Sequence, residues 1–193
     1  MITRALTGQA LQDALHDVAR LRIEVFRAWP YLYDGDLEYE ARYLASFAAS
    51  PQAIVVGAFD GDVLVGASTA APLSDHADDF ASAFDATDFD LNTVFYCAES
   101  VLLPKYRGQG LGHAFFDVRE AHAKSCGFDH SVFCSVLRPS DHPARPVDYR
   151  PLDAFWASRG YQPLDGVIAH FRWKDLGQTE ETSKTLQFWH RAL

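Results

Sequence analysis

From Glu99 to Glu120 the chain reads Glu-Ser-Val-Leu-Leu-Pro-Lys-Tyr-Arg-Gly-Gln-Gly-Leu-Gly-His-Ala-Phe-Phe-Asp-Val-Arg-Glu, and no other stretch limits the fold as strongly. Val94 to Leu103 is rich in β-branched and aromatic residues and reads as a buried strand. Pro104 ends it, because proline has no N–H to give a ladder. Gly108, Gly110 and Gly112 then turn the chain into a helix, where a positive φ and the missing Cβ let the backbone approach a ligand closely. A helix that starts there offers unpaired N–H groups at the positive end of its dipole. The combination predicts an anion site, with pyrophosphate as the natural occupant.

Spacing separates the families that use such a turn. A nucleoside-triphosphate loop needs Lys and then Ser or Thr after its last Gly, but His113 and Ala114 stand there. The dinucleotide pattern G-x-G-x-x-G, started at Gly108, puts His113 at its last position and fails. Arg107, Gly110 and Gly112 form Arg-x-x-Gly-x-Gly after a strand ending Val-Leu-Leu-Pro-x-Tyr. This pattern resembles motif A of the GNAT superfamily of N-acetyltransferases, whose turn holds the pyrophosphate of acetyl-CoA.

The rest of the chain is similar to that family in element order. Ile2 to Leu6 reads as a strand, and Thr7 is placed to cap a helix carrying Leu11, Ala14, Leu15, Val18, Leu21 and Val25 on one stripe. A loop around Trp29–Gly35 follows, and Asp36 caps a second helix with Leu37, Ala41, Leu44 and Ala48 on one face. Ala53–Phe59 and Val63–Ser68 flank Asp60-Gly61, the pair that a tight hairpin requires. Between Pro72 and Asn92, Asp75, Asp78, Asp79, Asp85, Asp88 and Asp90 alternate with Phe80, Phe84 and Phe89. A short helix from Asp78 to Phe84 fits there, either pinned to the core by its phenylalanines or acting as a lid that selects a cation. His130 to Val136 is the next strand, and a proline-rich loop runs from Arg138 to Tyr149. A helix over 151–159 ends at Gly160, and strands Val167–Lys174 and Lys184–Ala192 complete the chain. The resemblance implies an α/β (α+β) fold: a single domain over 1–193 with a central mixed, splayed sheet of about seven strands flanked by helices.

Composition narrows the partners. A chain of 193 residues with 48% hydrophobic content can bury about 70% of the surface its unfolded form exposes. Its formal charge of −9 disfavours nucleic acid and anionic membranes and leans toward a cationic small molecule. Cys97, Cys126 and Cys134 are scattered, and the eight histidines show no ligand spacing, so neither disulfides nor a metal are expected. The absence of an apolar leader or long apolar run predicts a cytoplasmic protein. A homodimer is left open.

The resemblance implies transfer of an acetyl group from acetyl-CoA to an amine, which a base must deprotonate. It assigns backbone groups of Val101, Leu102 and Leu103 to the pantetheine arm and the thioester. The turn Arg107, Gly108, Gln109, Gly110, Leu111 and Gly112 goes to the pyrophosphate. Glu99 is the candidate base: a carboxylate in an apolar strand needs a cavity or a partner. The same residue could instead anchor substrate or serve as a structural carboxylate. The tyrosine the family carries four residues before the helix-ending Gly falls here on Trp156, so either the thiolate leaves unassisted or another phenol stands in, with Tyr149 chosen as the proton donor ahead of Tyr96 and Tyr161. Trp29, Tyr31, Tyr33, Asp34 and Asp36 would wall the acceptor site, where aromatic rings suit a cation, and His142 is a further substrate-binding candidate. A CoA-binding sensor without turnover is the rival reading, supported by the missing helix tyrosine. A folded interaction module without CoA is a third.

Overall fold

The computed structural model describes residues 1–76 and 80–193 in full and residues 77–79 by their helical backbone alone. The side chains of Asp78 and Asp79, part of the acidic segment read as a lid or a pinned excursion, therefore lie outside the described residues.

The elements run β1 (Ile2–Leu6), α1 (Gly8–Phe26), α2 (Leu37–Ala48), β2 (Ile54–Asp60), β3 (Val63–Pro72), α3 (Ala77–Phe84), β4 (Val94–Leu102), α4 (Leu111–Ser125), β5 (His130–Val136), α5 (Asp153–Ser158), β6 (Gln162–Lys174) and β7 (Glu181–Ala192). They build a seven-stranded sheet in the order β1, β2, β3, β4, β5, β7, β6. Every neighbouring pair is antiparallel except β4 and β5. The expected mixed sheet of α/β class is the one observed.

Helices cover both faces. The α1 stripe, through Leu11, Val18 and Leu21, packs with Leu44 and Phe47 of α2 on Val55, Ala67 and Val101. On the opposite face Phe115 and Phe116 of α4 pack on Phe95, Cys97 and Phe133, with Tyr161 and Trp189 beside them. Phe80 and Phe84 of α3 are buried against Tyr96, Val132 and Phe188, so the phenylalanines do pin the acidic excursion to the core. Asp36 caps α2 by accepting from Tyr39 N. Thr7, in contrast, makes no side-chain cap to α1. β6 begins at Gln162, earlier than hydrophobicity suggested, and Pro163 is tolerated because β6 is an edge strand with a register break before Ile168.

Two irregularities in β4 shape the site. Its parallel pairing with β5 covers only Val94–Tyr96 against His130–Val132, and beyond that the strands part. On its other edge the register passes from Glu99 opposite Thr69 to Tyr96 opposite Ala71, so β4 carries one extra residue. That bulge turns Glu99 away from the α4 face, where Phe95 and Cys97 lie, to the face it shares with Tyr96.

Candidate active site

The turn after β4 is held from behind. Tyr106 N donates to Leu103 O (3.0 Å), Arg107 N to Pro104 O (3.2 Å), and the Tyr106 hydroxyl to Asp60 Oδ2 at the hairpin tip (2.8 Å). Gly108 (φ 73°) and Gly110 (φ 81°) take left-handed conformations, and a Cβ at either would project into open space. Glycine is demanded here by backbone conformation, not by crowding. Gly112 differs: a Cβ there would touch the Phe155 ring at 3.4 Å, an ordinary van der Waals contact, so neither crowding nor a positive φ demands glycine at this position. Along α4 the first amide to find a backbone acceptor is Ala114 N, on Gly110 O (3.2 Å). Among the described residues none accepts from the amides of 108–113, which therefore form an open cradle of donors. Arg107 is exposed, with its Nε on Leu102 O (3.2 Å), and Gln109 Nε2 donates to Lys105 O (3.4 Å). Substituting Gly110 by Ala forces a side chain into the left-handed region at a cost of ~1–2 kcal/mol. It is expected to weaken CoA binding about tenfold by titration calorimetry, since the strain is relieved by turning these amides aside.

The edge of β4 that faces the parting is open. Leu103 N is spent on Val65 O of β3 (3.1 Å). Backbone alternation turns the polar groups of Leu102 to the other edge, where its carbonyl receives Arg107. Val101 is fully buried in the α1 side of the core.

Beside the parting lies a cavity of about 410 Å³, lined from β4 by Tyr96, Ala98 and Glu99, from α1 by Arg22 and Phe26, and from β6 by residues 170–173. Glu99 is 7% exposed. Its Oε2 lies 2.5 Å from Arg22 Nη1, and Arg22 Nε donates to Glu40 Oε2. Arg22 thus bridges two buried carboxylates while its guanidinium lies over the Tyr43 ring (4.4 Å) and the Phe26 ring (5.3 Å). Burial opposes its charge, but Glu99, Tyr43 and Glu40 outweigh that and raise Arg22 well above its ordinary value. Glu99 Oε1, also buried, has no hydrogen-bond partner in the protein. A bare buried carboxylate oxygen is costly unless something donates to it.

The other candidates fall in two groups. Tyr31 and Tyr33 line the cavity with Glu99. Tyr31 stacks on Trp173 (5.8 Å) and lies tilted against Phe26 (4.3 Å), and burial pushes its phenol up. Tyr33 is also raised, by burial and then by Glu40. Asp34 stands apart from the lining, paired with Lys174 (2.9 Å) and Arg27 (3.7 Å). His142 and Tyr149 likewise lie outside the lining, both packed on Trp29 (5.1 and 5.9 Å). Tyr149 is raised by burial and then by Asp153, and it is near enough to raise Tyr31 in turn. Tyr161 is fully buried, with its hydroxyl on Glu120 (3.0 Å) and Ser131 (2.7 Å), away from the cavity. Trp156 packs on Phe133 (5.0 Å) and Trp189 (5.1 Å). Tyr96 meets Cys134 Sγ (3.5 Å) in the cavity wall, and burial pushes that thiol up to about 12, which leaves it a poor nucleophile. Among the described residues no group of three or more His, Cys, Asp or Glu is placed to hold a metal ion. Among the described residues no helix is long and apolar enough to cross a membrane.

Four supporting residues escaped sequence reasoning. Arg22 and Glu40 were readable as charges on apolar stripes, four residues after Val18 and four before Leu44. Arg119 of α4, 2% exposed, donates to Glu99 O (3.0 Å) and Thr69 O (3.3 Å), the carbonyls that the bulge frees. Arg138 pins the aromatic loop, donating to Pro30 O (2.9 Å) and Tyr31 O (2.7 Å) while it pairs with Asp175 (2.8 Å).

The candidate site thus combines a parted mixed sheet, an amide cradle opening a helix and a carboxylate-lined cavity beside the parting. The family model described as "Acetyltransferase (GNAT) family" matches residues 15–147, and the chain belongs to that family. Among solved structures it is similar to the ribosomal-protein-alanine N-acetyltransferase of Brucella melitensis (TM-score 0.63, 13% identity, covering 100% of both chains). It also resembles yncA of Salmonella typhimurium, solved with its cofactor acetyl-CoA (TM-score 0.59, 13% identity, 100% of this chain and 95% of that one). An aminoglycoside 6'-N-acetyltransferase complexed with coenzyme A is a third (TM-score 0.60, 18% identity, 100% and 97%). Identities this low speak for the fold alone. Among curated proteins none matches the sequence significantly.

Proposed function

We propose that this chain is an acetyl-CoA-dependent N-acetyltransferase acting on a small amine by direct transfer. The observation that carries the reading is Glu99, a buried carboxylate that lines a cavity beside the parted strands and keeps one oxygen, Oε1, without a protein partner. The residues fit the cofactor. The amides of 108–113 are free to take phosphate oxygens, Arg107 adds an exposed charge, and the open edge of β4 at Leu102 suits an amide-bearing arm. Leu103 would line that arm, whereas Val101, fully buried on the α1 side, would not reach it, and Gln109 and Leu111 would contribute their backbone N–H groups to the cradle. When bound, acetyl-CoA supplies the acetyl group as a reactive thioester.

The chain's own residues do the rest. Glu99 Oε1 receives the acceptor's ammonium and takes one proton, which frees the nitrogen lone pair. Arg22 fixes Oε2 so that the other oxygen keeps its aim, and Arg119 holds the bulge that sets the strand's direction. Tyr149 remains the proposed proton donor to the departing sulfur, because its phenol is only partly buried, whereas Tyr96 is held well above its ordinary value by burial and then by Cys134. Tyr31 and Tyr33 wall the acceptor, with Asp34 and His142 farther out. The proposal takes 1–193 as one cytoplasmic catalytic domain, monomeric or homodimeric, without nucleic-acid or membrane partners. The rival sensor without turnover draws on Trp156, an indole packed in the core where the family carries a phenol.

Acetyl-CoA at about 100 times its dissociation constant should add ~2.7 kcal/mol, raising Tm by about 5–10 °C for a chain of this size. No shift at millimolar cofactor overturns both readings. Thiol release with an amine panel then separates enzyme from sensor.

A further inference from the structure

Resting on the acetyltransferase reading, we propose that the acceptor carries a single ammonium on an aromatic body, and that polycations are disfavoured. Among the described residues lining the cavity, Glu99 is the one carboxylate, while Arg22 and Arg172 line it too. The acidity of the chain is spent elsewhere. Asp34 pairs with Lys174 and Arg27, Asp175 with Arg138 and Lys184, Asp75 accepts from Ser50, and Asp90 caps Asn92. Glu99 and Glu40 share the single Arg22, which leaves one formal negative charge for one ammonium, and a second ammonium in this cavity would meet Arg172 and no further carboxylate in the lining. One ammonium on Glu99 Oε1 satisfies the orphaned oxygen and fills the site's charge capacity.

Much of the remaining lining is aromatic and held in place. Tyr31 stacks on Trp173 and lies tilted against Phe26. Trp173 Nε1 donates to Tyr31 O (3.1 Å), and Arg138 donates to the same carbonyl. Trp173 already carries Lys184 (5.3 Å) and Arg138 (5.9 Å) against its ring, so it offers the acceptor an apolar surface and not a second cation site. Phe171 extends the wall and is itself braced edge-on by Phe80 (5.3 Å). Rigid rings sharing a cavity with one carboxylate suit a flat ring carried a short chain away from an amine.

The test compares 2-phenylethylamine, n-propylamine, spermidine and kanamycin. Thiol release gives kcat/KM with acetyl-CoA, and tryptophan fluorescence gives binding to the chain without cofactor. The expected result is that 2-phenylethylamine binds and exceeds each of the others about tenfold in kcat/KM. In Phe171→Leu, and separately in Trp173→Leu, its advantage over n-propylamine should fall to about threefold or less. Spermidine or kanamycin equalling 2-phenylethylamine overturns the inference and leaves the acetyltransferase reading standing. So does an aryl advantage that survives both variants while each melts as a folded protein. Failure of acetyl-CoA to raise Tm counts against the underlying reading instead. In that case amine binding to the free chain still decides the inference.

Discussion

Replacing Glu99 by Gln is expected to lower kcat/KM about 10²- to 10⁴-fold at pH 7, the range a positioned general base contributes. The substitution keeps the shape of the side chain and its carbonyl oxygen, so Arg22 retains an acceptor there as well as Glu40. Stability should therefore change little, and melting curves of the two proteins serve as the control. The distinguishing readout is the pH profile. An alkyl ammonium loses its proton near pH 10.4 unaided. Without a base the variant must wait for solvent to deprotonate the acceptor, so its log kcat/KM should climb with unit slope toward that value. The wild type should level off earlier, and the gap should close as pH rises. A carboxylate that only anchored the ammonium would give a raised KM with kcat and profile shape preserved. Equal kcat/KM for the two proteins from pH 6 to 10 would remove Glu99 from the chemistry.

The turn at 107–112 was legible because conformation there is dictated locally. Only glycine sits comfortably at φ 73° and 81°, and a proline and a helix start bracket the motif. The hairpin at Asp60-Gly61 and the strand character of β7 were legible for the same reason, since each is written in a few neighbouring residues. The cavity was not. Its walls come from α1, β4, β5 and β6, which are distant in sequence and meet only after the sheet forms. The bulge between Tyr96 and Glu99 also defeats simple alternation, which puts Glu99 on the face of Cys97 when it lies on the other. Nor could spacing predict Arg138 reaching across the fold to hold Tyr31, or Asp34 turning to Lys174 instead of the cavity. Helix caps divide in the same way. Asp36 caps as read, whereas Thr7 does not, because the preference of a residue type for a position does not aim its side chain.

Arg22 offers the second large effect, and one that separates support of the fold from support of the base. Arg22→Met leaves Glu40 and Glu99 buried with the cation between them gone, and breaking such a pair costs about 3–5 kcal/mol. For a chain of this length that corresponds to a Tm fall of roughly 6–20 °C. Glu99 also loses the group that fixes its Oε2, so kcat/KM should fall together with Tm. Adding Glu40→Gln removes the surplus carboxylate and leaves the Met against a neutral amide. The double variant should regain much of the lost Tm and part of the lost kcat/KM, a coupling that independent sites would not show. If the double variant recovers Tm while kcat/KM stays where Arg22→Met put it, Arg22 supports the chemistry by a route other than this carboxylate pair. If kcat/KM falls in neither variant, the guanidinium only holds α1 and α2 to β4, and the base must be sought elsewhere along the cavity wall.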